Sequence, residues 1–387
     1  MATTFDGVTT ARTLRDLTAE EAPRSEAGRT LSPALVEALW NTGLMRYLNT
    51  ADAGGTEPPF AEIIETWIEM AWQDASLGWI GIANLPSTMA ASAFLPEAGY
   101  QELFGDMSRR VTLAGQFFPN GTGEARDDGY VVSGAWNFGS GVGHSQYVAC
   151  GFFPIVDGEA VFDLTQIRAA IVPREQVTFT DGWHVQGLRG TGSYDYSVTD
   201  VFVPEDRCFP LFTREPRRGA SPLFRMGLIP VTAAGHAAWA LGVSKSMLDD
   251  VAELALTKAR MSDMETLARR QTFQRNLAHF TGMWRAAHAG VIAAFTEAER
   301  AVIAGVDLTP TMRADLRVAA TYATEAAREV GQWAHLAAGT TAIRDGSRLE
   351  RAFRDLYTGT QHAFISEKTY IDAAQIWLGL EEDLPGV

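Results

Sequence analysis

Hydrophobic and polar positions change their period twice along this chain. Over residues 9–106 apolar side chains return every three or four positions, the spacing of helices that bury one face. SPALVEALWNTGLMRYL opens on Ser32–Pro33, a helix start signal, and PPFAEIIETWIEMAWQDASLGWIGIANL carries the pattern on, rich in tryptophan. LPEAGYQELFGD predicts a short closing helix. Near Val111 the period falls to two. RRVTLAGQFF, GYVVSGAWNF, QYVACGFFPI, IRAAIVP and YDYSVTDVFVP are short alternating or β-branched runs punctuated by Gly, Asn and Asp. They predict sequential strands of a central antiparallel β-barrel or sandwich. No helix lies between them, which argues against a doubly wound sheet. From about Ser221 helical spacing returns in four long, Ala-rich segments, 233–256, 264–305, 309–343 and 349–379. They are apolar on more than one face, as in a four-helix bundle. The expected fold is α+β: an N-terminal helical domain over 1–110, a β domain over 111–220 and a C-terminal bundle over 221–387.

Composition narrows the function classes. The 387 residues exceed what one core usually serves, and 46% hydrophobic with 20% charged residues is ordinary for a globular protein. A net charge of −15 argues against nucleic-acid and anionic-membrane partners, which need a basic face. Cys150 and Cys208 have no metal spacing and form no disulfide framework. No apolar run approaches the ~20 residues of a membrane span, and MATTFDGVTTARTLRDL lacks a signal core. A cytoplasmic protein with a small-molecule substrate is the expectation. P-loop, H-E-x-x-H, G-x-S-x-G and Rossmann glycine motifs are missing from the sequence.

The candidate chemistry begins at SGAWNFGSGVGHSQY, residues 133–147. Trp136 and Phe138 offer flat apolar area, Gly139 and Gly141 allow close backbone approach, and Ser140 and His144 bring polar groups. Spacing alone fits a tight β-turn with core aromatics as well as a ligand wall. His362 stands in an apolar, hydroxyl-bearing stretch expected to be one long helix. It reads either as a proton-handling group or as a helical histidine satisfied locally. His184, His236, His279, His288 and His335 lack metal spacing and read as structural.

Three stretches carry a family resemblance over essentially the whole chain: GAWNFGSG, GLRGTGSYDYSVTDVFVP and RMSDMETLARRQTFQRNLA, the last with Arg260, Gln271, Gln274, Leu277 and Ala278 in register. Together they resemble the acyl-CoA dehydrogenase superfamily. A dehydrogenase of that group carries a carboxylate base eight residues after the Asp of an Arg-Asp pair. Here the pair is Arg354–Asp355, and the eighth residue is Ala363, next to His362. WNFGSGVGHSQY, GLRGTGSYD and RDLYTGTQHAFIS are instead similar to the oxygenase components of two-component flavin monooxygenases.

That resemblance implies a homotetramer. It implies reduced FMN or FAD delivered by a separate NAD(P)H-flavin reductase, and O2 activated as a C4a-hydroperoxyflavin. It also implies hydroxylation of a small or polycyclic aromatic substrate. It places Trp136, Phe138, Ser140, Gly141, Arg189, Thr191, Ser193 and Arg260 at the flavin. It gives the chemistry to His362, Ser140 and His144, and the substrate to Asn84, Ser87 and His144. Ser87 stands eight residues after Trp79, where phenol-hydroxylating relatives carry histidine. The alternatives are an acyl-CoA dehydrogenase-like enzyme holding FAD, and a bundle scaffold without flavin.

Overall fold

Asp74 divides the longest apolar run of the N-terminal region. Its carboxylate accepts from the Ser76 and Leu77 backbone N–H groups, at 3.0 and 3.1 Å, and such a cap starts a new helix. The structure is a computed structural model and describes residues 5–156, 158–180, 182–259, 265–384 and 386–387. Helices α1 (Gly7–Arg12), α2 (Arg15–Gly28) and α3 (Pro33–Asn41) precede α4 (Phe60–Gln73) and α5 (Ala75–Phe94), with α6 (Glu97–Phe104) after them. Almost every residue of α5 is buried. A helix that is apolar around its circumference belongs inside the protein, so α5 is enclosed by the layers on either side.

The strands are β1 (Leu113–Arg126), β2 (Gly129–Gly139), β3 (Tyr147–Val156), β4 (Glu159–Ala160), β5 (Arg168–Pro173), β6 (Thr178–Thr180), β7 (Tyr194–Pro204) and β8 (Cys208–Pro210). Their order is β6-β7-β2-β1-β3-β5-β8, with β4 beside β3. The expected antiparallel barrel or sandwich is corrected in two ways, the first of which bears on the barrel alone. The sheet is open, because β6 and β8 end the order without pairing each other, and it is mixed, because β1 and β3 run parallel. Alternation reveals a strand but not its direction. After the β1–β2 hairpin, residues 140–146 pass over the start of β1, and β3 then pairs on its far side. Both faces are covered. Along β3, Tyr147 and Ala149 join the large core shared with the helices, while Val148, Cys150 and Phe152 join a smaller core drawn from the strands.

After α7 (Pro222–Met226) come three long helices, α8 (Leu228–Thr257), α9 (Gln271–Ile303) and α10 (Pro310–Ala338). The fourth expected segment is not continuous. It is α11 (Arg348–Gly359) and α12 (Lys368–Trp377), with a turn between them that holds His362. Apolar spacing runs across this break, so periodicity does not show it. Locally, His362 Nδ1 accepts from the Phe364 backbone N–H at 3.2 Å, and a side chain has replaced a helical carbonyl as acceptor. No helix among the described residues is long and apolar enough to cross a membrane.

Two contacts fix this end of the molecule. A side chain at Gly359 would lie 2.1 Å from the Trp239 ring; Trp239 itself is tied to α5 through the Ala75 carbonyl, 2.9 Å from its indole nitrogen. Asp355, buried on α11, accepts from the Leu188 N–H at 2.6 Å and so holds the loop before β7. Burial, aided by the neighbouring Asp74 charge, pushes its carboxyl up to about 7.

Gly359→Ala is therefore expected to lose about 1–3 kcal/mol of stability, read by urea denaturation; an unchanged midpoint would rule out the tight fit. Asp355 also sets a pH dependence. Between its ordinary value and about 7 the folded chain keeps a proton that the unfolded chain releases. Its contribution is full at low pH and declines toward pH 7, by at most about 1.4 kcal/mol per unit. Asp355→Asn is expected to flatten the stability–pH curve between pH 5 and 7. Parallel curves for the two proteins would show that Asp355 does not titrate there.

Candidate active site

Trp79, on α5, has one polar atom, a donor. Its Nε1–H donates to Ser140 Oγ at 2.9 Å. Ser140 Oγ lies 2.8 Å from Ser193 Oγ, which lies 2.6 Å from Thr191 Oγ1. Thr191 donates to the Leu188 carbonyl at 2.8 Å. An indole can only donate and a carbonyl can only accept, so the direction of the whole chain is fixed. Thr191 gives its proton to Leu188, Ser193 to Thr191, and Ser140 to Ser193. Ser140 Oγ is left with acceptor capacity and no proton to offer.

Irregular backbone builds this row. Leu188 and Phe138 adopt positive φ, 54° and 62°, which is costly for residues with a side chain. Leu188 is held there by the Asp355 bond to its N–H and by Trp183 Nε1, which donates to its carbonyl at 2.9 Å. Phe138 is 60% exposed and meets the edge of Trp183, with ring centroids 6.1 Å apart. Gly141, at φ 82°, has no room for a side chain, because a Cβ would lie 2.2 Å from Asn84 Oδ1. The Asn84 amide nitrogen donates to the Leu113 carbonyl at 2.7 Å and to Ser145 Oγ at 3.2 Å, while Oδ1 is buried without a partner among the described residues.

On the other side of Trp79 lies a group of rings. His362 and His236 are 4.5 Å apart, and Trp79 is 5.9 and 5.4 Å from them. Trp239 meets Trp79 edge-on at 4.9 Å, and Phe364 stacks on His236 at 5.6 Å. Burial first, then the Arg317 charge, lowers His362 to about 4. His236 falls well below its ordinary value, through burial and then the charges of His362 and Arg317. Both are neutral at pH 7. Because Nδ1 of His362 accepts from Phe364, its proton is on Nε2.

Ser140, Thr191 and Ser193 thus form one row, with His362 across Trp79 from it. The other expected site residues are placed differently. Trp136 packs into the smaller core, stacked on Tyr196 at 5.4 Å and donating to the Gly151 carbonyl at 3.0 Å. Arg189 is half-exposed and donates to the Val185 carbonyl at 2.9 Å. Ser87 bonds back to the Ala83 carbonyl at 2.7 Å, beside Pro86, within its own helix. His144 has both ring nitrogens buried and unpartnered among the described residues, and burial lowers it to about 4. Arg260 lies outside the described residues.

Two residues escape sequence reasoning. His236 reads as structural and Trp79 only as a counting mark. The sequence signal was the pairing of a polar ring with apolar neighbours in AAGHAAWALG, a buried helix in which an imidazole needs a reason.

The comparisons with known proteins agree in direction. Residues 234–367 match the model described as acyl-CoA dehydrogenase, C-terminal domain. The chain is 29% identical to the indole-3-acetate monooxygenase of Acinetobacter baumannii, over 91% of this chain and 88% of that one. It is 26% identical to the flavin-dependent monooxygenase oxygenase subunit HsaA of Rhodococcus jostii, covering 89% and 90%. Its fold is similar to XiaF from a Streptomyces species, solved with FADH2 and glycerol, at TM-score 0.90 and 25% identity over 98% and 97% of the chains. Domain match, relatives and fold coincide: the chain is similar along most of its length to flavin-dependent monooxygenase oxygenase components, and its C-terminal helices match the acyl-CoA dehydrogenase domain.

Proposed function

We propose that this oxygenase component takes reduced FMN or FAD from a separate NAD(P)H-dependent reductase and hydroxylates an aromatic substrate. The observation that carries the reading is the direction of the hydroxyl row. Ser140 Oγ receives the Trp79 proton and spends its own on Ser193, so it accepts from any further ligand. A reduced flavin presents N5–H, a donor; an oxidised flavin presents N5 as an acceptor. The residues fit the reduced ring on a second count, because Asn84 Oδ1 is a buried acceptor lacking a donor beside the Gly141 turn. Bound there, a reduced flavin would supply the activation of O2 and the transfer of one oxygen atom to substrate.

The chain's own residues do the rest. Phe138 and Trp183 offer apolar ring surface, and the tight Gly141 turn lets backbone approach. His362, neutral with its proton on Nε2, donates a hydrogen bond to oxygen. His144 stands four residues after Ser140, and its ring nitrogens, without a partner among the described residues, are the groups we assign to orienting a polar group of the substrate. The relative that acts on indole-3-acetate supports an aromatic substrate. We also read α8, α9, α10 and the α11–α12 pair as a bundle that joins further copies in a homotetramer. Leu256, Ile303, Tyr322, Leu336, Ile371 and Trp377 stand exposed on those helices, the kind of apolar surface that association covers.

Two variants test the reading. Ser140→Ala is expected to weaken reduced-FMN binding about tenfold, worth about 1.4 kcal/mol, and to leave oxidised-FMN binding within about twofold. Anaerobic titration in both redox states measures this, and equal changes in the two would remove Ser140 from the flavin edge. His362→Ala is expected to cut product formed per reduced flavin about tenfold or more, with matching release of H2O2 and unchanged reduced-FMN affinity. With His362 held down to about 4, coupling in the native enzyme should be flat from pH 5.5 to 8 and fall only as pH nears 4. A midpoint in coupling near 6.5 would contradict the neutral imidazole.

A further inference from the structure

Arg317 is a buried cation with too few acceptors. It lies on α10 with 7% of its surface exposed. Its Nη2 donates a long bond to Thr369 Oγ1, 3.3 Å, and its guanidinium carbon sits 3.4 Å from the centroid of the Phe364 ring. Nε and Nη1 are buried and have no acceptor among the described residues. One helical turn further, Thr321 Oγ1 is buried and also unpartnered. The Asp372 charge attracts Arg317, but Lys368 holds that carboxylate at 2.5 Å. A desolvated cation in this state calls for an anion.

The position of Arg317 connects this need to the active site. Phe364 touches the guanidinium and also stacks on His236, whose Nδ1 is another buried atom without a partner. His236 in turn lies against His362 and Trp79. A flat apolar face stands against a guanidinium that has hydrogen bonds to give, and a hydroxyl in the same state lies one turn along the same helix. That pairing suits a planar ring bearing a carboxylate, since guanidinium–carboxylate bonds are charge-assisted and directional. We propose that Arg317 and Thr321 form an anion subsite at the edge of the Trp79–His236–His362–Phe364 cage, and that the substrate is an aromatic or heteroaromatic carboxylate. The proposal rests on the flavin-monooxygenase reading of the adjoining site. Burial pulls Arg317 down to about 10, which leaves it charged at neutral pH.

Calorimetric titration of the full chain, without flavin and anaerobically with reduced FMN, tests it with matched probes: indole-3-acetate against indole-3-acetamide, and phenylacetate against phenylacetamide. Each acid is expected to bind at least about tenfold more tightly than its amide. Arg317→Met should bring the acid to the amide's affinity while the amide and reduced FMN stay within about twofold. Equal binding of acid and amide by the native chain overturns the proposal, as does equal loss of both in the variant. A variant that loses reduced-FMN affinity and keeps the acid preference also overturns it, because the anion is then the flavin's phosphate. Failure of every acid to bind overturns it whether or not FMN binds. If the acids keep their preference and reduced FMN does not bind, the flavin reading falls and the subsite stands. Should Arg317→Met not fold, Thr321→Val, expected to narrow the acid–amide ratio severalfold, and the native acid–amide comparison decide the matter.

Discussion

One indole N–H, that of Trp79, joins the helical half of the site to the strand half. It is a donor with no alternative role, at the head of three hydroxyls that end on a backbone carbonyl. Any one of those hydroxyls could point either way in isolation. Bracketed between a pure donor and a pure acceptor, all three are set, and reversing one would strand a neighbour. The ring that carries the N–H is wedged against Trp239, His236 and His362, so its direction comes from packing on α8 and the α11–α12 turn. The polar row is therefore rigid because the apolar cage is rigid.

The electrostatics follow from that enclosure. Burial dominates at His362, His236 and His144, and it keeps all three imidazoles neutral. A base meant to remove a proton from carbon needs affinity for that proton near the working pH. These rings lack it, and Ala363, where a dehydrogenase would carry its acid, is exposed and inert. What the structure does have is donors and acceptors in fixed places: an acceptor at Ser140, a donor at His362, and, among the described residues, buried groups without partners on Asn84, His144 and Arg317. Such a set holds and orients. It suits oxygen transfer from a cofactor better than proton abstraction by the protein.

Much of this was legible in the chain. The change of period at Val111 and Ser221 marked helices, strands and helices in order. GAWNFGSG and GLRGTGSYD, about fifty residues apart, do meet through Ser140 and Ser193. What stayed hidden has physical causes. Strand alternation is blind to direction, so the parallel β1–β3 pair was read as antiparallel. Two- and three-residue strands such as β4, β6 and β8 are too short to show a period. The break at His362 keeps apolar spacing on both sides, and only its ring-to-backbone bond marks it. Arg317 looks like any helical arginine until three dimensions show that it is buried, with no carboxylate in contact among the described residues.

The placement of irregular backbone follows one logic. Residues 140–146 must cross the start of β1 to bring β3 alongside it, and that crossing delivers Ser140 and Gly141 to the buried helix α5. The loop before β7 turns at Leu188 with a positive φ and is pinned from α11 by Asp355. The α11–α12 turn brings His362 to the same indole. Three connections that depart from regular geometry converge on one residue of a regular, enclosed helix. Loops can set side chains at angles that helices and strands do not allow, but they drift unless something fixed receives them. Trp79 is the fixed point, which is why a residue with a single donor and no charge decides where the polar groups of these three connections stand.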